Sequence, residues 1–136
     1  MIAQKEISLP PMSRGFHIIT DKIIEATGNL PVNGIMNIFV KHTSAGIFIN
    51  ENADPSVRFD FETVFNKVVP EKDPDYTHVF EGDDDMPAHI KSAFTGCSIN
   101  IPITNGQLNL GTWQGIYFGE YRNRGGARKL IITIYS

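Results

Sequence analysis

Apolar positions along this chain repeat with two periods. Over residues 34–42, GIMNIFVKH, Met36, Ile38, Val40 and His42 fall on alternate positions. That period of two predicts a strand with one inward face, and His42 ends its inward row. Over residues 55–68, Val57, Phe61, Val64, Phe65 and Val68 recur at the spacing of one helical face. Asp54 can cap that helix, Pro55 suits its first position and Pro70 stops it. Residues 2–9 and 14–20 read as short strands separated by Pro10 and Pro11, with Ile7 and Leu9 sharing a face. Residues 21–28 read as a short helix ended by Gly28. TSAG (residues 43–46) reads as a polar turn, which makes residues 34–42 and the following IFINEN a hairpin. A further helix starts at Asp84 or Asp85, with Pro87 in its first turn, and ends at Gly96. The remaining segments SINIPI, QLNL, GIYFGEY and RKLIITIY read as strands. Asn105-Gly106 is a two-residue hairpin signal, and Arg124-Gly125-Gly126 fits a longer hairpin. The last strand is apolar on both faces, which predicts a central, buried place. The sum is one α+β domain over residues 1–136, an antiparallel β-sandwich-like sheet core covered by two or three helices.

Composition narrows the classes. Hydrophobic residues make up 41% and charged residues 20%, as in a globular protein. The net charge of −3 and pI near 5.7 argue against broad nucleic-acid binding, which needs a basic field, but leave room for a small cationic pocket. Cys97 is the only cysteine, so no intramolecular disulfide forms, and a cytoplasmic location is the simplest expectation. Its place in GCSINIPI predicts a buried structural thiol. No apolar run approaches the ~20 residues of a membrane span, and no signal-peptide pattern opens the chain.

Candidate chemistry concentrates in HVFEGDDDMPAHIK, residues 78–91. Imidazoles and carboxylates ligate divalent metals and move protons near neutral pH. An exposed acidic loop leading into a capped helix explains the same letters. On that helix Asp85 and His89 are four apart, so the carboxylate can orient the imidazole through its other ring nitrogen. His42, His78 and His89 fall near element ends at long spacings, a weak metal signal by itself, while His17 reads as structural. Three imidazoles suit zinc, and the acidic residues suit magnesium. A second group is GTWQGIYFGEYRNRGG, residues 111–126: Trp113 can stack on a ring and Arg122 can grip a phosphate. Thr43 and Ser44 add hydroxyls beside His42, and taken alone they read as turn formers. Arg58 lies four residues from both Asp54 and Glu62, which permits ordinary surface pairs.

HTSAGIFINENADPSVRFDFE, EGDDDMPAHIKS and GQLNLGTWQGIYFGEYR together resemble the YjbQ-like family, the secondary thiamine-phosphate synthase family, and the opening QKEISLPPMSRGFHIITD is similar to its N-terminus. The resemblance implies a homotrimer and a metal site at His42, His78 and His89, with zinc or magnesium as the cofactor. It implies a weak activity joining a hydroxymethylpyrimidine diphosphate to a thiazole phosphate with release of pyrophosphate. In that scheme Asp84, Asp85 and Glu120 are the catalytic carboxylates. Thr43, Ser44, Arg58, Trp113 and Arg122 bind a small phosphorylated substrate. A phosphoester hydrolase in the same pocket and a non-catalytic trimeric module binding a phosphorylated ligand are the alternatives. The family commonly has EHR where this chain has Glu120-Tyr121-Arg122. Tyr121 cannot replace a histidine as ligand or base near neutral pH.

Overall fold

The computed structural model describes residues 1–136. Strand β3 (Asn33–Val40) turns Met36, Ile38 and Val40 inward, each at most 1% exposed, and Ile35 and Phe39 outward. It lies between β8 (Arg128–Tyr135) and β5 (Ser98–Thr104) in a five-stranded antiparallel sheet. β1 (Ile2–Leu9) pairs with the free side of β8, and β6 (Gln107–Leu108) pairs with β5, giving the order β1-β8-β3-β5-β6. A second sheet has the order β2-β7-β4, built from β2 (Gly15–Ile18), β7 (Gln114–Glu120) and β4 (Ala45–Glu51). Met36, Ile38, Ile101, Leu130 and Ile132 from the first sheet meet Ile47, Ile116 and Phe118 from the second in one core. Ile19 and Ile23, before and within α1 (Thr20–Thr27), complete it.

The outer face of the smaller sheet is covered by α2 (Pro55–Val68) and α3 (Asp85–Thr95). Phe16, Phe48, Phe61, Phe65, Tyr117 and Tyr121 form the aromatic layer beneath them. Of the stripe expected on α2, Phe61 and Phe65 face this layer and Val57 is half-buried, whereas Val64 and Val68 are exposed. α3 is pinned to β4: the Ser92 hydroxyl donates to the Ala45 carbonyl at 2.7 Å, and Gly46 passes so close that a Cβ there would stand 2.1 Å from Thr95 Oγ1. On its other side Lys91, buried at 1% exposure, donates to Asn66 Oδ1 of α2 at 2.7 Å.

Three sequence expectations need correction. The strands at 34–42 and 45–51 do not form a hairpin, because β3 and β4 belong to different sheets. TSAG is a crossover: the His42 ring accepts the Lys129 amide hydrogen at 2.7 Å, and the chain then leaves for the other sheet. The Arg124-Gly125-Gly126 connection is likewise a crossover from β7 to β8, spanned by the Glu120–Arg128 ion pair. Cys97 is exposed rather than buried, since it precedes β5 at the rim of an open hollow. By contrast Asn105 and Gly106, with φ of 53° and 75°, make the two-residue turn between β5 and β6. β8 is an interior strand, as its composition requires.

Candidate functional site

The segment from His78 to Glu81 is irregular and leads into α3. Asp85 opens the helix, and His89 follows one turn later on the same face. The loop folds back so that His78 Nε2 lies 2.7 Å from Asp85 Oδ2 and 3.0 Å from Glu81 Oε2. His89 Nε2 lies 3.1 Å from the same Asp85 oxygen. One ligand atom from each of His78, Glu81, Asp85 and His89 falls within 4.8 Å of the others. Asp85 is the floor of this group, with a side chain 2% exposed, while His89, His78 and Glu81 rise to 31%, 47% and 64%.

Proton counting shows what the arrangement demands. His89 Nδ1 faces the Thr43 carbonyl at 2.8 Å, so it carries hydrogen and donates. In the neutral ring Nε2 then presents a lone pair, and that lone pair faces a carboxylate oxygen. Either a second proton or a cation must lie between them. His78 Nε2 faces two carboxylates, and one N–H cannot serve both well. The Asp85 hydrogen bond, and after it Glu81, push the His78 imidazole above its ordinary value. The donor set of two imidazoles and two carboxylates fits a divalent cation in its chemistry, and a backbone carbonyl fixing the tautomer of a ligating histidine is the usual outer arrangement.

Arg122 supports this group from behind. Its Nε donates to Asp84 Oδ2 at 3.0 Å, its Nη1 to Asp85 Oδ1 and its Nη2 to the Glu81 carbonyl at 2.9 Å. The Asn123 amide also donates to Asp84 Oδ2, at 2.9 Å. Burial works to raise the Asp84 carboxyl, and these donors outweigh it, holding the group below its ordinary value. Burial likewise works against Asp85, and its contacts with Glu81, His78, His89 and Arg122 prevail, so it too is lowered.

The expected residues therefore separate. His78, His89 and Asp85 come together, and Glu81 joins them; its spacing of three from His78 was the available signal. Asp85 does not orient His89 through the far ring nitrogen, because the Thr43 carbonyl does that. His42 lies outside the four-residue group, with its Nε2 engaged by Lys129. Asp84 faces Arg122 instead of the cluster, and Arg122 faces protein carboxylates. Glu120 is fully buried, with both oxygens held by Arg128 at 2.7 and 2.6 Å, a structural pair. The Ser44 carbonyl accepts from Arg128. Trp113 is exposed ahead of β7, and Arg58 lies on α2 with Nη1 buried and unpartnered; neither has a hydrogen bond to the cluster. Tyr121 packs among the aromatics and hydrogen-bonds Thr95 Oγ1 at 2.8 Å, so this position is a packing position. Burial drives its phenol well above the usual range.

Beside the cluster lies an open hollow of about 600 Å³ walled by His42, Thr43, His89, Ser92 and Cys97. His89 is shared by hollow and cluster. No helix is long and apolar enough to cross a membrane.

The family described as UPF0047 protein YjbQ-like matches residues 5–136. The chain is 46% identical over 133 residues to the UPF0047 protein YjbQ of Escherichia coli O157:H7, covering 96% of each. It is 48% identical over 133 residues to that of Salmonella typhimurium, again covering 96% of each. A solved Clostridium acetobutylicum protein of the yjbq/upf0047 family, described as uncharacterized, superposes with a TM-score of 0.82 at 43% identity, over 96% of this chain and 99% of that one. A YbjQ-like protein of unknown function from Sulfolobus solfataricus gives 0.83 at 27% identity, over 98% and 96%.

Proposed function

The chain belongs to the YjbQ-like family, and we propose that it is a metal-dependent enzyme whose centre is His78, Glu81, Asp85 and His89. The observation that carries this is His89, held by Thr43 so that its free lone pair meets the Asp85 carboxylate. A mixed nitrogen and oxygen set favours zinc or a similar transition ion over magnesium, which prefers oxygen alone. The resemblance points to thiamine-phosphate synthesis. There the bond from the pyrimidine methylene to the diphosphate breaks, pyrophosphate leaves with the electron pair, and the thiazole nitrogen forms the new bond. A bound divalent cation supplies neutralisation of the negative charge on phosphoryl oxygens. The chain's own residues do the positioning: Thr43 sets the His89 tautomer, and Arg122 fixes Asp85 and the Glu81 backbone. No protein nucleophile is required, since charge balance and orientation carry such a reaction.

The homotrimer belongs to the same reading. It is supported by bulky apolar surface, including Phe59, Phe80, Phe94 and Val68, that an assembly would cover. Hydrolysis of a phosphoester is the second reading, favoured by how exposed His78 and Glu81 are to water. The test measures bound metal and pyrophosphate release by the wild type and by His89→Ala. The expected result is near-stoichiometric metal with release above background in the wild type, and a loss of both by at least tenfold in the variant. Phosphoester turnover without pyrophosphate release selects the hydrolase. A wild type with neither metal nor any turnover overturns the proposal.

A further inference from the structure

The hollow beside the cluster has an unusual polar inventory. The Ser92 hydroxyl is spent on the Ala45 carbonyl, and the Thr43 carbonyl on His89. The Gly96 carbonyl accepts from the Ile47 amide, and the Gly96 amide donates to Ser92. The two carbonyls and the Ser92 hydroxyl of this wall thus already hold partners within the chain. Side-chain groups without a partner in the chain remain, each able to donate: the Thr43 hydroxyl, one nitrogen of His42 and, as a weak donor, the Cys97 thiol.

His42 can be assigned a tautomer from its backbone partner. The Lys129 N–H points at Nε2 from 2.7 Å, so Nε2 presents its lone pair. The neutral ring therefore carries its hydrogen on Nδ1, where no group of the chain accepts it. Ligation of a metal through Nδ1 would move that hydrogen to Nε2 and set it against the Lys129 N–H. His42 is thereby unsuited to be a third histidine ligand. The ring also stays neutral. Burial, then the Arg128 charge, hold it below its ordinary value, with Lys129 and Lys41 adding to them and Glu120 opposing. Glu120 is neutralised by Arg128, and Lys41 is paired with the exposed Glu6. Among these groups Lys129 is left as the uncompensated charge beside the ring, and an anion is the ligand it favours.

We infer that this hollow is an oxyanion subsite, in which His42 Nδ1–H and the Thr43 hydroxyl hold a phosphoryl oxygen of the substrate next to the cluster. The subsite deepens the reading of His78, Glu81, Asp85 and His89 as a cation centre, which explains why a phosphorylated ligand should lie across both. His42 then stands as a substrate-binding donor. Its fixed neutral form keeps the donor in place without competing for the cation.

The test uses methyl phosphate as the probe on the protein as purified, its metal content measured. Long-range proton–nitrogen NMR of the histidine rings reads the His42 tautomer directly, and titration reads affinity. Gln places an acceptor where Nε2 stands, so His42→Gln keeps the Lys129 contact and loses the donor. Asn places a donor where Nδ1 stands, so His42→Asn keeps it. The expected result is the Nδ1–H tautomer at neutral pH and a shift of that ring on adding methyl phosphate. Affinity should fall about tenfold in His42→Gln, as for a hydrogen bond to a charged group, and stay within roughly threefold in His42→Asn. Metal content should match the wild type in both. An Nε2–H tautomer, unchanged affinity in His42→Gln, or metal lost on removing the ring would each overturn the subsite. A wild type that carries no metal but passes the tautomer and affinity arms would sink the cation reading alone.

Discussion

Asp83, Asp84 and Asp85 are neighbours of identical chemistry with three different duties. Asp83 is exposed and stands 3.7 Å from the exposed Lys72. Asp84 takes Arg122 and the Asn123 amide, and Asp85 lies beneath two imidazoles. The letters DDD show density but not direction, because direction depends on where Arg122, some 40 residues later, returns. Asp83→Asn should change stability by no more than ~0.5 kcal/mol and leave metal affinity unaltered, by chemical denaturation and metal titration. Asp85→Asn should lower metal affinity at least tenfold, since it removes the charged member that both histidines face. The histidines differ as sharply. In an NMR titration of the metal-free chain His78 should titrate above the ordinary value near 6.5 and His42 below it. For His42 the folded state binds the proton more weakly than the unfolded state. Its contribution to stability is therefore present above about pH 6.5 and is lost as pH falls from there through the lower folded value. His42→Gln should remove that component from a stability profile.

At the scale of elements, the strands and helices were readable because each rests on local periodicity and caps. Asp54 accepts from the Ser56 amide at 2.9 Å, and Asn105-Gly106 supplies the positive φ angles its turn requires. What was not readable is which strands pair. The crossover at residues 41–44 is closed by the Lys129 amide meeting His42, a contact between residues 87 apart that no local signal contains. The site depends on how α3 seats on β4, since α3 carries Asp85 and His89 while the chain entering β4 carries the Thr43 carbonyl. Gly46 sets that seat. Gly46→Ala would drive a Cβ into Thr95 Oγ1 and within 3.2 Å of the Gly96 carbonyl. It should cost ~1–3 kcal/mol by denaturant melting, as overpacking does. It should also weaken metal binding, because His89 moves away from Thr43.

Over the whole molecule, the two sheets are joined where β7 hands over to β8, and the buried Glu120–Arg128 pair bridges that handover. Sequence marks Glu120 as a carboxylate near an arginine and cannot tell a buried tie from a catalytic acid, because both ask for the same letters. Glu120→Gln should cost ~3–5 kcal/mol, as when one partner of a buried pair is removed. Metal affinity of the folded fraction should stay as in the wild type, which sets Glu120 apart from Asp85. The aromatic layer shows the same limit: Tyr121 sits one residue from Arg122 yet points into Phe16 and Phe65, away from the cluster. Strand alternation sends successive side chains of β7 and its exit to opposite faces. On the proposed function, the loop at His78 and the first turn of α3 close around a cation. Anomalous diffraction from crystals grown with zinc tests it most directly. The expected result is one strong peak per chain among His78 Nε2, Glu81, Asp85 and His89 Nε2, with His42 still bonded to Lys129. No peak there, or a peak at His42 with the Lys129 contact broken, would contradict it.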